Sequence, residues 1–174
     1  MLENIDEKKL LFIDIETAGL YESSMELESS NPELSRLWND IGCSYFRRHY
    51  PEDSNEECTI LYKKYSPLLP EFGKIICISV GFINGGEEKL QSFCSGNEKE
   101  DLTQLSQLLN KIKSLDFTLC GHNIKNFDLP YLGKRMLING INPPSLLPSH
   151  DTKPWEVRAL DTKEMWNFGS YKGL

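Results

Sequence analysis

The stretch KLLFIDIET, residues 9–17, decides how this sequence folds. Its side chains alternate, so Leu11, Ile13 and Ile15 leave one face of an extended chain while Leu10, Phe12, Asp14 and Glu16 leave the other. Both faces carry apolar groups, which predicts a central strand covered on two sides. Gly19 ends it. Asp14 and Glu16 are two residues apart, so their Cα atoms lie roughly 6.6 Å apart, at about 3.3 Å of rise per residue. Carboxylates at that separation can converge on a divalent cation, and burying them without a partner is costly. The same spacing also describes two solvated acids at a strand end, and taken alone it leaves both readings open.

Outward from this strand, residues 20–72 read as a mostly helical insertion. Asn31 caps, Pro32 suits a first helical position, and Leu34, Leu37, Trp38, Ile41 and Tyr45 follow at helical spacing. A second helix is expected over residues 55–65, with Ile60, Leu61 and Tyr65 on its apolar side. About fifty residues with so few apolar anchors should pack beside the sheet edge rather than fold alone. Two strands follow, residues 74–83 and 89–94, joined by the turn signal Gly85-Gly86. Asn97 with Glu100 resembles a capping box ahead of an amphipathic helix through Leu102, Leu105, Leu109 and Ile112. Residues 117–120 make a short strand, residues 129–139 a helix closed by Gly140, and Asp161 caps a last helix. The order predicts an α/β fold with a mixed sheet.

The chain has 174 residues, 39% of them hydrophobic, enough for one globular domain with a core. Its longest apolar runs are strand-sized, so no membrane span or membrane partner is expected. The N-terminus has no signal-peptide hydrophobic region. Five scattered cysteines, with no Cys-x-x-Cys spacing, argue against a zinc site and a disulfide framework and for a reducing, cytoplasmic setting. A net charge of −7 argues against broad electrostatic binding of nucleic acid, but not against gripping a few nucleotides.

The second chemical segment runs Gly121-His122-Asn123-Ile124-Lys125-Asn126-Phe127-Asp128, between a short strand and a helix. Asp128 falls at the helix N-terminus, which favours its ionised form; by itself it reads as an ordinary N-cap. Together, Asp14-Ile15-Glu16 with Thr17, and Asn123 with Phe127 and Asp128, resemble the first two motifs of the DEDD (DnaQ-like) 3′→5′ exonuclease superfamily. The wording around them, with Leu160-Asp161-Thr162 further on, is similar to the bacterial group related to the exonuclease domain of family B DNA polymerases. That resemblance implies an RNase H-like mixed sheet flanked by helices, with the helical insertion after the first strand.

It also implies a metal-dependent 3′→5′ exonuclease acting by a two-metal-ion mechanism with Mg2+ or Mn2+. Asp14, Glu16 and Asp128 would be the metal ligands and catalytic acids. Thr17, Asn123 and Phe127 would meet the terminal nucleotide. The partners would be single-stranded DNA or RNA 3′ ends, with a polymerase or repair complex around them. The family carries a third motif, a fourth acid with Tyr or His four residues before it. None of Asp151, Glu156, Asp161 or Glu164 has that neighbour. The expectation is a single exonuclease-like domain over residues 1–174, C-terminally incomplete and weak or inactive as it stands. A catalytically incomplete nucleic-acid-binding or scaffold module is the alternative. Among the remaining residues, His122 is expected to be a structural hydrogen-bonder. Lys125, Lys134 and Arg135 are candidates for phosphate contacts, and Arg47, Arg48 and His49 form a solvated helix end.

Overall fold

In the computed structural model, which describes residues 5–169, the chain divides into two compact units. The first comprises Met1–Glu16 and Ile76–Leu174, and the second Thr17–Ile75.

The first unit is built on a five-stranded mixed sheet. Its strands are β1 (Leu10–Gly19), β2 (Gly73–Asn84), β3 (Glu87–Phe93), β4 (Thr118–Gly121) and β5 (Ala159–Asp161), in the order β3-β2-β1-β4-β5. The far ends of β1 and β2 belong by contact to the second unit. β1 is central, as its composition requires. It pairs in parallel with β4, from Leu10↔Thr118 to Phe12↔Cys120, and β4 pairs in parallel with β5. β2 and β3 form an antiparallel hairpin turned by Gly85 and Gly86, at φ 63° and 84°, a conformation glycine adopts without steric cost. Leu11, Ile13 and Ile15 are buried on one face; on the other, Leu10 is buried whereas Phe12 is 41% exposed. The expected cover on both faces is therefore met only in part along β1.

Two helices supply the buried side of this unit. Helix α5 (Glu98–Ile112) starts at Asn97, whose side chain accepts from the Glu100 N–H, and buries Leu102, Leu105 and Leu109. Helix α6 (Asp128–Ile138) buries Leu129, Leu132 and Met136 and stops before Gly140, at φ 72°. A buried fork joins them. Arg135 Nε and Nη2 donate to the two Glu98 oxygens at 2.8 and 2.5 Å, and Asn139 Nδ2 adds a third bond at 3.0 Å. Arg135 is thus committed to Glu98, contrary to its expected role at phosphate. Helix α7 (Thr162–Asn167) closes the unit, capped by Asp161.

The second unit carries α1 (Ser24–Ser30), α2 (Pro32–Leu37), α3 (Cys43–His49) and α4 (Cys58–Tyr65). Its core gathers Leu27, Trp38, Cys43, Phe46, Leu61, Tyr62, Tyr65 and Phe72. Leu37, Ile41, Tyr45 and Ile60, read as core positions from helical spacing, are instead exposed. For Ile41 and Tyr45 the reason is local. One π-helical turn, Trp38–Gly42, separates α2 from α3 and inserts an extra residue into the period. Gly42, Cys43 and Phe46 then fall where Ile41 and Tyr45 were expected. Gly42 also makes room for the indole, since a Cβ there would sit 2.5 Å from the Trp38 ring. Cys43 and Cys58 are joined by a disulfide with Cα atoms 5.4 Å apart, which corrects the expectation of thiols only. Arg47 donates to the Glu56 carbonyl, and His49 Nδ1 bonds the Tyr45 carbonyl at 2.8 Å, so the basic run ends α3 as a helix terminus. No described helix is long and apolar enough to cross a membrane.

Candidate active site

The site is assembled where β4 runs into α6. Gly121 ends β4 because β1 passes too close for a side chain: a Cβ there would lie 2.8 Å from the Ile13 carbonyl oxygen. The chain then turns tightly. Asn123 takes φ 59°, in the left-handed region that Asn tolerates better than most residues. Its carbonyl accepts from the Asn126 and Phe127 N–H groups at 3.1 and 3.0 Å. Phe127 packs its ring on Tyr131, with centroids 5.4 Å apart.

Asp161 holds this turn from β5. Its Oδ1 accepts from the backbone N–H of Asn123 and Lys163 at 2.8 and 2.9 Å, and its Oδ2 accepts from the Lys125 N–H at 3.1 Å. It is 2% exposed. With three amides on its two oxygens, Asp161 is an anchor for the loop that carries Asn123 and Phe127. The sequence showed it only as a cap for the last helix. His122 bonds the Thr162 hydroxyl at 3.1 Å, the structural role expected of it. Lys125 Nζ pairs with Glu164 at 2.7 Å, so its expected place at phosphate is taken by a carboxylate.

Asp128, the first residue of α6, is 4% exposed. Beyond the last β1–β4 pair, its Oδ1 becomes the acceptor for a β1 amide, the Ile15 N–H, at 3.1 Å. That amide lies between Asp14 and Glu16, so α6 delivers its carboxylate to the strand segment that carries the other two acids. Burial pushes the Asp128 carboxyl up to about 6. The Ile15 and Asp128 backbone N–H groups oppose that rise, and the charges of Asp14 and Asp161 add to it. Asp14 is therefore within electrostatic reach of Asp128. Asp14 and Glu16 are both exposed, and Thr17 belongs to the second compact unit.

The donor chemistry suits a hard divalent cation, which takes carboxylate oxygens and keeps several waters. No cationic side chain pairs with Asp14, Glu16 or Asp128 among the described residues. The cage is not preformed: no three described His, Cys, Asp or Glu side chains are grouped closely enough to hold a metal ion. Beside Asp14, the uncovered face of the sheet forms an apolar hollow of about 390 Å³, lined by Phe12, Gly81 and Leu90 with Glu88 and Lys89 at its rim.

A comparison with curated proteins finds no match. The sequence pattern of the DNA polymerase family B exonuclease domain matches residues 3–154, a span that includes both acid-bearing segments. This match covers most of the chain and agrees with the mixed five-stranded sheet and its flanking helices. The chain therefore belongs to the family B DNA polymerase exonuclease domains, within the DEDD 3′→5′ exonuclease superfamily and its RNase H-like fold.

Proposed function

We propose that this chain hydrolyses phosphodiester bonds at the 3′ end of single-stranded DNA, with RNA as a second substrate, using two divalent cations, Mg2+ or Mn2+. The observation that carries the reading is the seating of Asp128 on the Ile15 N–H, beside Asp14. Asp14, Glu16 and Asp128 would hold the cations. When bound, such ions generate a nucleophilic water at neutral pH and stabilise charge on the leaving 3′ oxygen. The protein's own part is placement. The Ile15 amide fixes Asp128 Oδ1, while Asp14 and Glu16 present their carboxylates from the exposed side of β1. Asn123 and Phe127 would shape the place of the terminal nucleotide, and the hollow beside Phe12 suits an apolar base or sugar face. A polymerase or repair complex in the cytoplasm would be the setting.

The test is a 5′-labelled single-stranded oligonucleotide incubated with Mn2+ or Mg2+. A slow ladder shortening from the 3′ end, lost with chelator, is the expected result. Asp14→Ala should reduce its rate on the order of a hundredfold or more, because misplaced reacting groups cost about that much. The melting temperature of the variant should stay near that of the parent. A second reading, a nucleic-acid-binding or scaffold module without catalysis, is favoured by the lack of a three-ligand cage among the described residues. Strand binding by fluorescence anisotropy with no cleavage in any metal would select it.

A further inference from the structure

β2 and β3 pair antiparallel up to Ile78 opposite Phe93, and that register continued one step past the end of β3 brings Cys77 and Cys94 opposite each other. Opposed Cβ atoms in such a pair are about 4.5–5.5 Å apart, and a disulfide needs Cα atoms about 4.4–6.8 Å apart. Both cysteines are free, and the Cys77 side chain is the first influence on the Cys94 thiol. The corner that carries Cys94 is fixed, because the next N–H, that of Ser95, donates to both oxygens of the buried Asp101 carboxylate at 3.0 and 3.1 Å. Cys120 is buried and reads as a small core hydrophobe, whereas Cys94 is exposed and Cys77 half-buried. Packing therefore accounts for the first and not for the facing pair.

We propose that Cys77 and Cys94 form a redox dithiol, which a low-molecular-weight disulfide of the glutathione class closes into a cross-strand disulfide. Cys94, the more exposed, gives up its proton and attacks one sulfur of the oxidised tripeptide. One tripeptide thiol leaves with that proton, and a mixed disulfide remains on Cys94. Cys77 then loses its proton and attacks the Cys94 sulfur, expelling the second tripeptide thiol. The protein loses two hydrogens and two electrons, and one tripeptide disulfide becomes two thiols. The neighbouring Cys77 side chain, then burial and the charge of Asp101, raises the Cys94 thiol above its usual range, so Cys94 rests protonated until it attacks.

The full chain should be equilibrated in glutathione buffers of increasing oxidation, quenched with an alkylating reagent, digested without reduction and mapped by mass. The expected result is a linked peptide pair containing Cys77 and Cys94, distinct from the Cys43–Cys58 pair, with Cys120 alkylated only after denaturation. In Cys77→Ser the reaction should stop at a glutathionyl adduct on Cys94. Cys77 and Cys94 each modified separately across the whole series, with no linked pair, would overturn the proposal. A second readout uses an aryl arsenical that requires two neighbouring thiols. It should bind the parent in one equivalent and neither Cys77→Ser nor Cys94→Ser; binding retained in either single variant would also overturn it.

Discussion

Asp128 shows how one carboxyl ties sequence to chemistry. Its folded-state value is about 6 against an ordinary 3.8, so the fold binds its proton more tightly than the unfolded chain does. The contribution to stability is complete below about pH 3.8 and is lost as pH rises through about 6. Above that, a buried carboxylate stands near Asp14 and Asp161 with no cation among the described residues to balance it. Asp128→Asn keeps an oxygen for the Ile15 amide and removes the charge. Its melting temperature should match the parent near pH 4 and exceed it at pH 8, and Mn2+ should narrow the gap by stabilising only the parent. A constant difference across pH would show that burial of the charge is not what the substitution relieves. Asp14, Glu16 and Asp128 were candidates only through the resemblance of their two segments taken together, since each segment alone reads equally as solvated acids or an ordinary N-cap. The role of Asp161 was not legible, since it binds the Asn123 and Lys125 amides across separations of 38 and 36 residues. Nothing in the local pattern around Asp161 points to those partners.

Among the elements, those with local signals were the readable ones. The Asn97 cap, the Gly85-Gly86 turn and the helix ending before Gly140 all lie where the sequence places them. The second unit was harder, because a single π-helical turn at Trp38–Gly42 shifts the positions of α3 by one residue and no composition signal marks such a turn. The Cys43–Cys58 bond was hidden for the same reason: the two residues meet only once that register is known. Replacing both by Ser should destabilise the chain by about 3 kcal/mol, the loop-closure estimate for a loop of about 15 residues, as read by urea denaturation. In the first unit the Glu98–Arg135 fork joins α5 to α6. Glu98→Ala should cost about 3–5 kcal/mol, because it leaves a buried guanidinium without its carboxylate. An equilibrium unfolding midpoint unchanged from the parent would show that the fork adds nothing.

At the scale of the whole molecule, charge sets how nucleic acid can be held. The net charge is −7, and Lys64, Lys89, Lys125 and Arg135 are each paired with a carboxylate. With 26 Asp and Glu against 19 Lys and Arg, a strand meets little net positive charge that could replace its counterions. Binding of single-stranded DNA, measured by anisotropy with Ca2+ present, should weaken with salt at a log–log slope of about −2 or shallower, near three phosphates at about −0.7 each. A slope steeper than about −4 would reveal a basic surface that the composition does not suggest. The two margins of the sheet carry a further consequence. β3 exposes every side chain from Glu87 to Ser92, including Glu87, Glu88 and Lys89, and β5 is only three residues long. A strand from another molecule approaching β3 would have to bury those charges, and at β5 it would find too few amides to form a ladder. Sheet-to-sheet polymerisation is thereby disfavoured at both borders, so the chain should remain dispersed at high concentration even with the apolar hollow beside Phe12 uncovered.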